Sequence, residues 1–331
     1  MPGMSYWVQL ATEQFPPSAL VRQAVGAERA GFDGINVSDH FQPWWEPGHA
    51  GQAWTLLGAI GQATDRIPIG TGVTAPVHRY HPAVVAQFAA TLEELFPGRA
   101  FLGIGSGESL NESPCGMDWP DTGEQVRRME EALEIIDALL DGERVDHQGT
   151  YFRTKQAYLH SRGERRPPVY VSAFGSQAAS VAARLGDGFW TLADPESAPD
   201  LIDAYRSACD DAGKEPGEII LQAGMSWAED DDAAVEGARV WKSTMVKEYF
   251  TDDWHDPKAM FENAEASYSD EDFAAQYIVS SDPNEHVERL REVERLGATV
   301  VCVQNASGAD PDRALAVYGA EVLPALRGAR V

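Results

Sequence analysis

Lysine is scarce in this chain of 331 residues: five lysines stand among 26 basic residues, against 52 acidic ones, for a formal net charge of -26. A field of that sign repels phosphate-rich surfaces and argues against nucleic acid and anionic membranes as partners. Cysteine is equally sparse. Cys115, Cys209 and Cys302 are odd in number, far apart and without a C-x-x-C pair. Neither a disulfide framework nor a thiolate metal site is indicated, and three buried structural thiols are expected. No window approaches 18 unbroken apolar residues, and no basic segment leads into an apolar run at the amino end. A soluble cytoplasmic protein is therefore expected. Internal repeats, low-complexity tracts and linkers are also lacking, so one domain spanning residues 1–331 is expected.

Few lysines with abundant Asp and Glu is also the composition of a protein kept soluble in high salt. Self-repulsion is screened to about 3 Å at molar ionic strength, and a salt-rich cytoplasm is the matching expectation.

What the chain does contain is a rhythm. With 44% apolar residues it can bury a large core. Apolar strand-like runs at Tyr6–Leu10, Gly34–Val37, Ile67–Val73, Ala100–Ile104, Val169–Ala173, Gly188–Leu192, Ile219–Trp227 and Thr299–Gln304 alternate with amphipathic helical stretches. The helices are predicted around 17–30, 53–63, 82–95, 123–140, 177–185, 198–212, 233–245 and 283–296, with a last one after Asp310. Eight strands, each followed by a helix, argue for a (β/α)8 TIM barrel over an open doubly wound sheet. In such a barrel the chemistry sits at the carboxyl ends of the strands. The run 248–275 breaks the rhythm with acids, aromatics and the Asp256-Pro257 breaker, and reads as an insertion or lid near the barrel mouth.

The predicted strand ends collect the unusual residues. Ser38-Asp39-His40-Phe41-Gln42-Pro43-Trp44 follows the second strand, Gly72-Val73 ends the third, and Gly105-Ser106-Gly107-Glu108 follows the fourth. An isolated Asp-His is commonly a turn with a satisfied histidine, but here three neighbouring strands aim polar or small groups at one mouth. His40 has the side chain suited to a general base near neutrality, and Glu108 is the complementary acid if burial lifts its pKa. The glycines at 103, 105 and 107 resemble a dinucleotide fingerprint, which belongs on a first strand rather than a fourth. They read instead as a tight turn that admits a flat cofactor. His78 and His81 precede Pro82 with no third ligand at helical spacing, so they read as rim histidines and no metal is expected. The acids 229–232 read as a solvated helix start, and Trp190, Trp227 and Tyr277 as core.

At these residues the sequence resembles the luciferase-like oxidoreductases, and more narrowly the glucose-6-phosphate dehydrogenases that use the deazaflavin coenzyme F420. The matching segments are 37–44, Gly70-Thr71-Gly72-Val73, Arg79-Tyr80-His81-Pro82-Ala83-Val84, Phe101 to Glu108 with Leu110-Asn111-Glu112, and Ile278-Val279-Ser280-Ser281-Asp282-Pro283. The resemblance implies a deazaflavin in the barrel mouth with its C5 facing the substrate. His40 would take the alcohol proton, Trp44 would pack on the reacting centre, and Glu108 would be the acid near ring N1. Asp39, Gly72, Val73, Gly107, Asn111, Ala173 and Gly175 match cofactor-lining positions, with a non-prolyl cis peptide at Gly72-Val73. A homodimer is implied as well. Arg79 and the helix start at Ser176 are candidates for the anionic cofactor tail.

The departures concern the substrate. Family members that oxidise sugar 6-phosphates clamp the phosphate with two lysines and an arginine, and the aligned positions here are Asp194, Glu262 and Gln276. Carboxylates there would oppose a dianion. The expected substrate is a neutral hydroxyl or lactol, either a sugar or a secondary alcohol. Two alternatives are an FMN-dependent monooxygenase or reductase on the same barrel, and a non-catalytic deazaflavin-binding barrel.

Overall fold

The computed structural model describes residues 3–308 and 310–328. Its strands are β1 Ser5–Leu10, β2 Gly34–Val37, β3 Ile69–Thr71, β4 Ala100–Ile104, β5 Val145–Gln148, β6 Arg153–Ala157, β7 Val169–Ser172, β8 Gly188–Leu192, β9 Glu218–Ser226, β10 Ile278–Val279 and β11 Val300–Asn305. Strands β1, β2, β3, β4, β7, β8, β9 and β11 pair in that order, all parallel, and β11 pairs back to β1. The ring is closed, which is the (β/α)8 barrel expected from the alternation of runs. Strands β5 and β6 form an antiparallel hairpin of their own, and β10 pairs with β9 beside the ring.

The runs are mostly apolar because each barrel strand is covered on both faces, by the interior side chains and by the outer helices. Helix boundaries follow local chemistry. Prolines occupy the first turn of the helices Pro17–Ala30, Pro82–Leu95 and Pro283–Arg295, where no amide hydrogen is needed. Gly31 and Gly213 close their helices with positive φ of 89° and 65°. The predicted helix 233–245 divides in two. It is α-helical over Asp231–Ala238, capped by Asp230, then continues as a 3-10 helix over Arg239–Met245. Trp241, Lys242, Ser243 and Met245 are all buried there, a demand that a helix with one apolar face does not meet.

One expectation about cysteine is corrected. Cys209 and Cys302 are buried, but Cys115 is exposed. It ends the turn Ser113–Cys115, which Pro114 and Gly116 bend across the surface after β4.

The floor of the barrel is aromatic. Trp7, Phe101, Tyr170 and Trp190 pack with Ile220, Val300 and Cys302, and the rings of Trp7 and Phe101 lie 4.7 Å apart. Two residues farther along each strand the same inward face carries Gln9, Gly103, Ser172, Leu192, Gln222 and Gln304. The interior thus passes from a sealed aromatic plug to a polar mouth.

Residues 248–275 lie between β9 and β10 and are structured. Helices Pro257–Ser267 and Asp270–Gln276 start at Asp256, which accepts from the backbone of Lys258 and Ala259, and at Ser269, which forms a capping box with Asp272. The linking stretch reaches the loops after β2 and β4. Ser109 Oγ accepts from the N–H of Trp254 at 2.7 Å, Trp119 Nε1 donates to Thr251 O at 3.0 Å, and Gln42 Nε2 donates to His255 O at 3.2 Å.

Candidate active site at the barrel mouth

His40 leaves the end of β2 with its ring held at both nitrogens. Nδ1 lies 3.2 Å from the carbonyl of Gln42 and 3.4 Å from Asn111 Nδ2. Nε2 lies between two carboxyl groups, with Glu13 Oε1 at 3.4 Å and Glu108 Oε2 at 3.5 Å. Trp44 is buried with its ring 5.7 Å from the imidazole, and its carbonyl accepts from Ser243 Oγ at 3.0 Å.

The two acids beside His40 differ in surroundings. Glu13 is buried at the end of β1 and accepts a 2.5 Å hydrogen bond from Ser38 Oγ. Glu108 is held by Asn111 Nδ2 at 3.2 Å. Loss of solvation raises the Glu108 carboxyl pKa above its ordinary value and the charge of Glu13 adds to the rise, while His40 and Arg79 pull it back. Glu108 is therefore the acid of the pair, retaining its proton to higher pH than a solvated carboxyl.

A second layer sits behind. Asp39 is buried and accepts from Thr74 Oγ1 at 2.7 Å, Tyr80 Oη at 3.3 Å and Arg79 Nη2 at 3.4 Å. Arg79 also donates from Nη2 to the Asp39 carbonyl at 2.8 Å, and its backbone N–H donates to Glu112 Oε2 at 2.7 Å. Glu112 is fully buried, and desolvation pushes its carboxyl up to about 7 against the opposing pull of Arg79. Asn111 Oδ1 accepts from Phe41 N at 2.8 Å, tying the loop after β2 to the one after β4.

The glycines at the mouth differ in their surroundings: Gly72 is packed against Asn36 and Trp190, and Gly175 is open. The Gly72–Val73 peptide is cis, with Gly72 O accepting from Gln9 Nε2 at 2.6 Å. A Cβ on Gly72 would meet Asn36 Oδ1 at 2.3 Å and Trp190 at 2.8 Å. Gly107 has φ of +87°, and a Cβ on Gly175 would meet nothing within 4 Å. Ala173 donates its N–H to Trp190 O at 2.9 Å, and Gly175 begins the helix Ser176–Leu185, whose N-terminus has no side-chain cap.

The structure thus gathers His40, Trp44, Glu108, Asp39 and Asn111 into one contact network, with Gly72, Val73, Gly107, Ala173 and Gly175 on the loops that follow β3, β4 and β7. The three substrate candidates stand differently. Asp194 turns to its own chain, accepting from Glu196 N at 3.0 Å and Ser197 Oγ at 2.8 Å. Glu262 is exposed and lies 3.9 Å from Lys258, and Gln276 is exposed at the end of its helix. Sequence reasoning passed over Glu13, although it directly follows the first strand, where the rule that singled out His40 applies equally. It also passed over the pairing of Glu112 with Arg79, which no spacing reveals. His81 Nδ1 caps the helix Pro82–Leu95 by accepting from Ala83 N at 3.2 Å, and both ring nitrogens of His78 lack partners. No cluster of three His, Cys, Asp or Glu residues shaped for a metal occurs among the described residues.

Similarity to known proteins runs along nearly the whole chain. The luciferase-like monooxygenase family model matches residues 5–300. The F420-dependent glucose-6-phosphate dehydrogenase of Nakamurella multipartita is 39% identical over 332 residues, covering 98% of this chain and 97% of that protein. That of Microbacterium testaceum is 38% identical over 330 residues, covering 98% of each. Among solved structures, an F420-dependent secondary alcohol dehydrogenase in complex with an F420-acetone adduct has a TM-score of 0.94 at 31% identity, covering 98% of this chain and 99% of that one.

Proposed function

The chain belongs to the luciferase-like family, and from that premise we propose that His40, Trp44 and Glu108 serve a hydride transfer between a neutral hydroxyl or lactol substrate and coenzyme F420. The coarser statement rests on full-length likeness: the protein is an F420-dependent oxidoreductase of the kind that acts on CH–OH groups. The observation that carries the finer one is the placement of His40 Nε2 between Glu13 and Glu108, within 3.5 Å of both.

The residues present suit the cofactor. The open space at Gly175 keeps side chains clear of a flat ring. The uncapped N-terminus of Ser176–Leu185 offers free N–H groups to an anionic tail. Arg79 is less suited to that tail, because its guanidinium is engaged with Asp39 and Glu112. Asp39, Val73, Gly107, Asn111, Ala173 and Gly175 are the residues assigned to hold it.

When bound, F420 supplies a two-electron hydride acceptor. The chain supplies the proton chemistry. His40 Nε2 takes the hydroxyl proton, and the Glu13 carboxylate faces the charge that develops on the ring. Trp44 closes one side of the reacting centre and keeps bulk water out. Glu108 holds a proton at the mouth because burial favours its neutral form. Asp194, aligned where sugar-phosphate oxidisers carry a lysine, supports a neutral substrate over a sugar phosphate, whereas Glu262 is exposed beside Lys258 and bears less on the choice.

The finer assignments follow the same premise: a homodimer in a salt-rich cytoplasm, with residues 248–275 acting as a lid over the mouth. The first test is a titration of the purified protein with oxidised F420 and, separately, FMN in molar salt. Sugars, sugar phosphates and alcohols are then added while bleaching is followed. Tight F420 binding with bleaching by a neutral alcohol or sugar is expected. Bleaching by glucose 6-phosphate would overturn the neutral-substrate reading, and a preference for FMN would overturn the cofactor assignment.

A further inference from the structure

Residues 251–255 cross from the lid to the loops after β2 and β4 as a strap without regular secondary structure. Both ends of the strap are pinned on the lid side. Tyr249 is fully buried, and its Oη donates to Met260 O at 3.0 Å and accepts from Asn263 Nδ2 at 2.7 Å. At the other end Asp256 caps the helix Pro257–Ser267. Phe250, just before the strap, adds a row of rings from Trp44, 5.2 Å away, to Phe174, 5.7 Å away.

The middle of the strap is held from across the mouth by side chains. Ser109 is fully buried, and its Oγ accepts from Trp254 N at 2.7 Å. The same Oγ lies 2.7 Å from Trp254 O and 3.0 Å from Asp252 O, and its single proton goes to one of them. Gln42 Nε2 donates to His255 O at 3.2 Å, and Ser113 Oγ donates to Asp253 Oδ1 at 3.0 Å. Water can replace each of these bonds when the strap lifts, so each has a small net worth and the ties are reversible.

Two of the ties stand beside the groups that move protons. Ser109 directly follows Glu108, and the helical turn Ser109–Glu112 carries Asn111. Asn111 Nδ2 lies 3.2 Å from Glu108 Oε2 and 3.4 Å from His40 Nδ1. Gln42 places its carbonyl 3.2 Å from that same His40 Nδ1, and its N–H donates to Asn111 Oδ1 at 3.4 Å. The strap is thus bonded to the neighbour of the acid and to a partner of the base.

Resting on the dehydrogenase reading above, we infer that Ser109 and Gln42 are positioning residues that latch the strap 251–255 across the mouth. The strap opens to exchange substrate, and its closure sets His40 and Glu108 for proton transfer.

The test compares Ser109→Ala and Gln42→Ala with the wild type. Gln42 is partly exposed, so its replacement spares the core and keeps the test open if Ser109→Ala folds poorly. Hydrogen exchange of the protein without cofactor reads the latch directly. In Ser109→Ala the Trp254 amide is expected to lose about tenfold in protection, with the barrel strands exchanging as in the wild type. In histidine-labelled protein the His40 NMR signal, identified by its absence from His40→Ala, is expected to shift in both variants. With the substrate that bleaches F420 fastest, kcat is expected to fall about tenfold in each variant while F420 affinity is kept. Unchanged exchange at Trp254 would overturn the latch. Faster exchange with either the His40 signal or kcat unmoved would overturn the positioning role while leaving the dehydrogenase reading in place. If F420 binds but nothing bleaches it, the dehydrogenase reading fails; exchange and the His40 signal then decide alone, and either one unmoved overturns the inference.

Discussion

Replacing Glu112 by Gln tests the electrostatics behind the mouth with a sign that can be worked out in advance. The side chain is fully buried, and desolvation raises its pKa from the ordinary 4.5 to about 7. Between those values the folded protein holds a proton that the unfolded chain has released. Stability therefore falls as pH rises through this window, and the loss is complete above the folded pKa. At about 1.4 kcal/mol per pH unit the gap amounts to ~3 kcal/mol. Glutamine carries no titrating proton and still offers an acceptor to the backbone N–H of Arg79, now bonded to Oε2 at 2.7 Å. Urea unfolding of both proteins at pH 4.5 and pH 8, in the same salt, gives a double difference in which all other titrating groups cancel. The variant is expected to gain ~3 kcal/mol on the wild type between the two pH values, whatever their offset at pH 4.5. An offset that does not change with pH would refute the argument, because Glu112 would then carry its charge in the fold at no cost.

Three further outcomes are expected. His40→Ala should lower turnover with a neutral alcohol by about two or more orders of magnitude while F420 affinity is kept; a rate within threefold of wild type would remove His40 as the base. Gly72→Ala places a Cβ 2.3 Å from Asn36 Oδ1 and 2.8 Å from Trp190, and should cost about 1–3 kcal/mol. A thermal melt unchanged from wild type would show that the floor yields. The net charge of -26 predicts weaker folding in dilute buffer than in molar KCl, and circular dichroism indifferent to salt would refute the salt-adapted reading.

The aromatics separate what pattern can reveal from what it cannot. Trp190 and Tyr277 carry no mark in the sequence that distinguishes them from Trp44, and all three are buried. Only the strand-end position of Trp44 set it apart. The hairpin β5–β6 escaped prediction because its strands, VDHQ and RTKQA, are polar and mostly exposed, so they carry neither an apolar run nor an alternation. The 3-10 helix Arg239–Met245 was read as α-helix because its apolar residues fall near helical spacing, whereas the burial of Lys242 depends on Glu265 and Asp270 from the two following helices.

The amino-acid sequence by itself determined the barrel, since period and composition are local properties and eight apolar runs spaced by amphipathic helices admit few closed arrangements. It also determined that His40, Trp44 and Glu108 stand at strand ends, because that follows from where each run stops. Tertiary structure decided the rest. That His40 Nε2 faces two acids, that Glu112 is buried against Arg79, and that Phe174 and Phe250 extend the row of rings from Trp44 all depend on contacts between segments 27 to 206 residues apart. Such contacts set desolvation and charge coupling, which arise from the packed surroundings of a group and leave no imprint on its neighbours in the chain.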